Sequence, residues 1–362
     1  MRVALDATPL LGGPTGVGTF VRGASNALAA RPELLVTGYA LTTRRRPEGF
    51  LPPGVTAGRA YPAVLALRSW GWGLLWPTAE WLSGRVDVVH GTNFVVPPAR
   101  QAARVVTVHD LTAVKFPDLC QPASRRYPEL VRRAVAEGAW VHTPSAFVAG
   151  EVVELLGVPA DRVRAIAHGV DKVVATGRSG AVHRYVLAIG TVEPRKDVPM
   201  LVRAFDRIAE GRDDVRLVIA GADGWGASAL NDAVAAAAHG DRVVRLGYVD
   251  EARRAQLLAD AAVFAFPSRD EGFGLPPLEA MAAGVPVVTT AAGAVPEVVG
   301  DAARIVPVGD ESALAAALAE LLDDSTLASL LVSKGRARVA GFTWEACAAG
   351  LASLYADAIA CG

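Results

Sequence analysis

Two doubly wound, Rossmann-like α/β domains facing a crevice are predicted by three features of the sequence. Short β-branched apolar runs alternate with longer amphipathic stretches along the chain, and these runs stop at glycine or polar residues. A stretch with glycine and serine and no strong period, DKVVATGRSGAVHR, interrupts that alternation near the middle. Parallel strands need crossover connections, so repeated strand–helix alternation implies parallel sheets covered on both faces. The 362 residues, 52% of them hydrophobic, supply two cores of ordinary size.

In the first half, VALDAT, VTGYAL, VDVVHG, RVVTVHD, WVHTPS and VRAIAHG read as buried strands, with helical patterns at Arg125–Gly138 and Ala146–Gly157 between them. In the second half, YVLAIG, VRLVIAG, VVRLG, AVFAFPS, PVVTT and ARIVP read as strands. Helical stretches at Val198–Glu210, Ala252–Ala259, Leu278–Ala283 and Ser312–Leu322 separate these. The predicted organisation is an N-terminal domain over 1–170, a linker over 171–184, a C-terminal domain over 185–342, and a last helix within 343–362 left over after the second sheet is complete.

The formal charge is balanced, 36 basic against 37 acidic residues, but residues 1–170 carry 18 Lys/Arg against 12 Asp/Glu, and the rest 18 against 25. So modest a basic excess argues against dedicated nucleic-acid binding and fits an anionic substrate or a membrane surface. Cys120, Cys347 and Cys361 have no ligand spacing, which suggests a reducing compartment without structural metal or disulfides. No signal-like segment and no run of about 20 apolar residues is present, so the expectation is a cytoplasmic enzyme or binding protein.

In two such domains ligands bind beyond the carboxyl ends of the strands, so the polar residues there matter most. After the first strand, GGPTGVGTF places Gly12, Gly13, Gly16 and Gly18 where the backbone can approach an anion at a helix start. The spacing is not G-x-G-x-x-G, and the second half's first strand runs into GTVEPRKD, so a nicotinamide enzyme is disfavoured. Arg195 and Lys196 in GTVEPRKD precede a helix whose apolar period begins at Val198. Two cations there oppose the helix dipole, which favours negative charge, and a bound diphosphate would satisfy both. The plainer reading is a solvated pair beside Glu193 and Asp197. His109 follows RVVTV and would face the crevice; His90, near the end of the preceding strand, is the alternative.

SRDEGFGLPPLEAMAAGVPVV carries Glu271 on a strand-to-helix loop and Glu279 in the first or second turn of a helix begun by Pro276 or Pro277 and stopped by Gly284. The amides of Gly274 and Leu275 offer a second anion site. An extended ligand with hydroxyls for the carboxylates and a phosphate for the amides suits this arrangement, and a sugar nucleotide has all of these.

These stretches, with LVIAGADG, VVRLGYVD and TTAAGAVPEVVGDAARIVP, together resemble the retaining GT-B glycosyltransferases with the E-x7-E motif, from about Asp87 to Pro307. In the first half, TPSAFVAGEVVELLGVPADRVRAIAHGVD resembles the family's segment before the linker. The resemblance implies that Glu271 holds hydroxyls of the transferred sugar and Glu279 the ribose. It implies that Lys196 and Arg195 stabilise the leaving diphosphate with the Gly274 and Leu275 amides and the Gly16–Gly18 loop, and that His109 lies near the sugar. Backbone at Val249 would read the base, and the final helix would cross back to the first domain. Two positions depart from the pattern: Thr191 stands where many relatives have Arg, and His168 where they commonly have Asn.

The implied reaction is front-face hexosyl transfer from GDP-mannose or a UDP-sugar to a saccharide, lipid-linked or small-molecule hydroxyl. No D-x-D triplet occurs, so no catalytic metal is expected. Trp70, Trp72, Trp76 and Trp81, with Arg44–Arg46 and the pairs at 125–126 and 132–133, could hold a lipid-linked acceptor or touch the inner face of the cell membrane. They could equally form a core helix broken at Pro77, or stack on a soluble saccharide. A sugar-nucleotide epimerase of the same architecture and a non-catalytic homologue are the competing functions.

Overall fold

A computed structural model describes residues 1–12, 15–43, 49–171 and 184–361. Gly13, the Arg44–Arg46 run and most of the expected linker lie outside the described residues. The chain divides into two compact units, Met1–Gly169 with Phe342–Gly362, and Val170–Gly341.

The first unit runs β1 (Arg2–Asp6), α1 (Gly16–Ala29), β2 (Leu35–Leu41), β3 (Thr56–Tyr61), α2 (Ala63–Gly71), α3 (Ala79–Ser83), β4 (Val88–Gly91), β5 (Ala103–Thr107), α4 (Thr112–Lys115), α5 (Tyr127–Ala136), β6 (Trp140–Thr143), α6 (Ala146–Leu156) and β7 (Val163–Ala165). Its described strands form one sheet in the order β3-β2-β1-β4-β5-β6-β7, with every pair parallel. The edge strand β3 has no sequence expectation behind it, because TAGRAY is largely exposed and lacks an apolar run.

The second unit runs β8 (Arg184–Ile189), α7 (Val198–Ala209), β9 (Val215–Ala220), α8 (Ala227–Ala236), β10 (Val243–Gly247), α9 (Glu251–Asp260), β11 (Val263–Phe266), α10 (Leu275–Ala282), β12 (Val287–Thr290), α11 (Val295–Val299), β13 (Arg304–Val306), α12 (Glu311–Asp323) and α13 (Ser325–Val339). Its sheet order is β10-β9-β8-β11-β12-β13, again all parallel. Helix α7 shows why the helices cover this sheet: Val198, Leu201, Val202, Phe205 and Ile208 fall on one face and are buried in the core. In each unit the strand order reverses once, between β1 and β4 in the first and between β8 and β11 in the second. Chains leaving adjacent strands there diverge to opposite faces and open a crevice beyond the carboxyl ends.

The last helix, α14 (Trp344–Ala360), packs with the first unit. Leu351, Leu354 and Tyr355 join Phe20, Val21 and Leu28 of α1 in one core. A polar chain also ties it to the sheet. His142 Nε2 bonds the Ile166 carbonyl at 3.0 Å, which can only accept, so that nitrogen carries the proton. His142 Nδ1 therefore accepts from Thr107 Oγ1 at 2.9 Å, Thr107 accepts from His90 Nε2 at 2.7 Å, and His90 Nδ1 accepts from the Tyr355 hydroxyl at 2.7 Å.

Candidate active site

In the second unit the loops after β8 and β11 meet at the reversal point of the sheet. Pro194–Lys196 forms a single 3-10 turn, followed by Asp197 in the left-handed region at φ 46°. The loops are stitched together by the Arg269 amide on the Arg195 carbonyl at 2.8 Å and by Arg269 Nε on Asp197 Oδ2 at 2.8 Å.

Within this frame Glu271 receives both cations. Arg195 Nη1 lies 2.7 Å from Oε2 and Lys196 Nζ 2.5 Å from Oε1, and Ser268 Oγ donates to Oε1 at 2.8 Å. Arg195 also donates to the Asp270 carbonyl at 2.9 Å. Burial alone would push the Glu271 carboxyl up, but the charges of Arg195 and Lys196 and the hydrogen bonds from both outweigh it and hold it at about 2. Burial pushes the Lys196 ammonium down, an effect the Glu271 charge only partly offsets. A narrow cleft beside the pair is lined by Gly190, Lys196, Ile219, Phe266 and Ser268. The solvated pair with Glu193 and Asp197 forms only in part: Arg195 lies 3.8 Å from Glu193, but the principal partner of both cations is Glu271, and Asp197 pairs with Arg269.

Helix α10 begins at Leu275, ahead of the expected prolines, with Gly274 as its N-cap at φ 106°. That conformation, more than space, requires the glycine, since an added Cβ would meet Val295 at an ordinary 3.5 Å. Pro276 and Pro277 have no N–H, so Gly274 and Leu275 supply the amides at the head of the helix. Glu279 is buried in the second turn and is ion-paired with Arg254 of α9. Val249 is half-buried in the turn between β10 and α9.

Gly293 is a supporting residue that sequence reasoning missed. At φ 54° it lies so close to the Glu271 loop that an added Cβ would fall 2.3 Å from the Glu271 carbonyl oxygen, which accepts from the Ala294 amide at 2.8 Å. The Gly after TTAA was the available signal. Arg254 and Arg269 had none, being two arginines among many.

In the first unit His109 stands two residues beyond β5, buried, with Nε2 donating to the Thr92 carbonyl at 2.8 Å. The neutral ring therefore keeps its lone pair on Nδ1, and burial pushes its pKa down. His90 has both ring nitrogens engaged within the sheet, so of the two histidines His109 is the one with a nitrogen left for other chemistry. Phe20 of α1 sits edge-on to His109 at 5.5 Å and stacks on His168 at 4.3 Å, which gives His168 a packing role. Gly16 is exposed as the first residue of α1. Gly18 is buried and its amide donates to the capping Thr15 hydroxyl at 3.0 Å, so Gly18 serves helix capping. Among the described residues no group of three His, Cys, Asp or Glu side chains is placed to hold a metal ion.

Doubly wound units of this kind, with charged groups gathered beyond the strand ends, define a Rossmann-like α/β protein with a site for an anionic ligand. Residues 14–173 match the family described as Glycosyltransferase Family 4, and residues 183–324 match Glycosyl transferases group 1. The chain is 33% identical to O-antigen chain mannosyltransferase B of Escherichia coli, covering 72% of this chain and 71% of that one. It is 31% identical to the MMP alpha-(1->4)-mannosyltransferase of Mycolicibacterium hassiacum, covering 84% and 77%. Sucrose-phosphate synthase of Thermosynechococcus elongatus has a similar structure, with a TM-score of 0.78, 23% identity and full coverage of both chains. The chain belongs to the group 1, family 4 glycosyltransferases.

Proposed function

We propose that this glycosyltransferase moves a hexose, mannose first, from a nucleoside diphosphate sugar to an acceptor hydroxyl with retention of configuration. The observation that carries this reading is the joint hold of Arg195 and Lys196 on the ionised Glu271. When a donor binds, its diphosphate takes the two cations and the amides of Gly274 and Leu275, and Glu271 is left to accept hydrogen bonds from sugar hydroxyls. Glu279 accepts from the ribose, and the turn at Val249 reads the base through backbone groups.

The acceptor hydroxyl attacks the anomeric carbon on the face from which the diphosphate leaves. The carbon–phosphate-oxygen bond breaks, the new glycosidic bond forms, and the acceptor proton passes to the leaving phosphate oxygen. Fixed cations and amides act where charge develops, so the protein's contribution is positioning and electrostatic stabilisation. Mannose is placed first because two mannosyltransferases stand among the relatives at 33% and 31% identity.

Melting temperature with each nucleotide tests the donor. A ligand at a hundredfold excess over its Kd stabilises by about 2.7 kcal/mol. GDP is expected to raise the melting temperature more than UDP does at equal concentration, and GDP-mannose to be consumed only when acceptor is present. Stronger protection by UDP would overturn the mannose reading and leave the glycosyltransferase class untouched.

A further inference from the structure

In the first unit the segment between α2 and α3 does something a folded apolar segment rarely does. Gly71, Trp72, Gly73, Leu74, Leu75 and Trp76 are consecutive, apolar and all exposed. Trp72 is 74% exposed, Leu75 62%, Leu74 56% and Trp76 44%, and Val64 and Leu65 of α2 add 68% and 52%. Single exposed apolar residues need no explanation, but a contiguous set marks an interaction site.

The exposure is built in. Trp70 is buried, and its Nε1 donates to the Pro77 carbonyl at 3.2 Å, closing the base of the loop across its two ends. The Gly73 amide bonds the Trp70 carbonyl at 3.1 Å and the Leu74 amide the Ser69 carbonyl at 3.0 Å. Arg133 of α5 donates to the carbonyls of Trp70, at 2.5 Å, and Gly71, at 3.3 Å. The backbone at the neck is thus satisfied and held, while Trp72 and Trp76 stay exposed and Leu74 and Leu75, more than half exposed, line the mouth of a cleft with Val96 and Leu130.

Charge selects among the partners such a loop could meet. From Gly49 to Ala79 there is no acidic residue, while Arg59 and Arg68 are both exposed. Neither arginine is in a salt bridge among the described residues; Arg68 lies 5.8 Å from the Trp72 ring and Arg59 4.9 Å from the Trp81 ring. Trp81 in turn packs edge-on to Trp76 at 5.0 Å. Glu137, just past the end of α5, is already paired with Arg104 and Arg133. Exposed leucine and tryptophan, flanked by arginines and with no acidic residue in the segment, supply the residue types that suit the acyl, interfacial and phosphate layers of an anionic bilayer. No described helix is long and apolar enough to cross a membrane, so the contact would lie on the surface.

We propose that residues 71–76 form a membrane-docking loop that inserts into the interface of an anionic phospholipid bilayer, with Arg59 and Arg68 on the headgroups. The proposal does not depend on the donor reading. The test is co-sedimentation of the full chain with vesicles of phosphatidylglycerol and phosphatidylcholine in equal parts, and with phosphatidylcholine alone, paired with tryptophan quenching by brominated lipid.

The wild type is expected to pellet with the anionic vesicles only. Leu74→Glu with Leu75→Glu should weaken that binding about tenfold or more, since each removes apolar area from the interface. Arg59→Ala with Arg68→Ala should remove the preference for anionic lipid, and Trp72→Phe with Trp76→Phe should remove the quenching although Trp225 is also exposed. All of these side chains are exposed or line the loop surface, so melting temperature should stay near that of the wild type. Wild type that stays in solution with anionic vesicles, or Glu variants that bind as well as wild type, would overturn the proposal. So would a self-association in ultracentrifugation that Leu74→Glu dissolves while no vesicle binding is seen; that outcome would assign the loop to a second copy of the chain.

Discussion

Lys196 Nζ and Glu271 Oε1 stand 2.5 Å apart although 75 residues separate them in the chain. Each follows one of two neighbouring parallel strands, β8 and β11, and the sheet's reversal brings their loops together. With Arg195 they form a part-buried cluster in which the carboxylate occupies the cations that the proposed diphosphate would need.

Glu271→Gln separates the two roles of that carboxylate. Transfer should be abolished, while GDP or UDP should bind more tightly, because the competing negative charge is gone. A unit charge at about 4 Å is worth up to roughly 4 kcal/mol at an effective dielectric of 20, and solvent access reduces this, so a gain of about tenfold is expected. Titration calorimetry measures it, and weaker nucleotide binding by the variant would contradict the competition.

Lys196→Ala should lower kcat by about a hundredfold to a thousandfold, the usual cost of removing one fixed group that stabilises developing charge. The fold should hold, since the variant leaves Arg195 on Glu271. A change confined to KM would place Lys196 in ground-state binding instead.

Transfer should persist in a strong chelator. In the proposed mechanism Arg195 and Lys196, which are held on Glu271 in the free protein, supply the positive charge that a metal ion would bring to the diphosphate. Activity lost on chelation and restored by magnesium or manganese would contradict this.

Gly293→Ala places a methyl group 2.3 Å from the Glu271 carbonyl oxygen and 2.9 Å from Asp270 Oδ1, at φ 54°. The left-handed backbone alone costs roughly 1 kcal/mol for a residue with a Cβ, and the contact adds to it. The Glu271 loop must shift, so activity should fall further than thermal stability suggests. Assay and melting temperature on the same variant decide the matter; equal turnover by the variant would show that the loop tolerates the shift.

Stability should fall as pH drops from about 6.5 toward 4. Burial holds the His142 pKa at about 4 in the folded chain against an ordinary 6.5, and burial lowers His90 and His168 in the same direction. The unfolded chain binds these protons first, so the contribution is complete above 6.5 and lost through that window. For His142 alone it amounts to roughly 3 kcal/mol. Protonating its Nδ1 also opposes the proton donated by Thr107. Melting temperature against pH measures the slope; Glu271, held at about 2, adds to acid loss only below about 4.5. Burial raises the Asp6 carboxyl to about 6, so the folded chain takes up that proton first and offsets part of the loss between about 6 and 4. Asp6→Asn should therefore steepen the profile, and a flat profile in that variant would mean that water reaches these rings.

Much of this architecture was legible because buried parallel strands are written as apolar runs ending in polar residues. β8, β9 and β11 were read from YVLAIG, VRLVIAG and AVFAFPS for that reason. β3 was not, because an edge strand faces solvent and its TAGRAY carries no apolar run. α8, written ASALNDAVAA, buries only Leu230 fully and shows no clear stripe. Within the candidate site, Arg195, Lys196 and Glu271 were legible singly from their places at strand ends. Their union was not, since pairing across 75 residues depends on strand order, which no local pattern encodes. The same limit hid Arg254 on Glu279 and Gly293 under the Glu271 loop.

The return of α14 to the first unit sets the timetable of synthesis. The first unit's sheet is translated by Ala165, yet the helix that covers Phe20, Val21 and Leu28 begins only at Trp344. At about 5–20 residues per second, roughly nine to thirty-six seconds of elongation separate the two. The second unit, uninterrupted from Val170 to Gly341, is completed within that interval. The half of the protein made first is therefore the half finished last, and during the wait its α1 face is open to whatever apolar surface the cell presents.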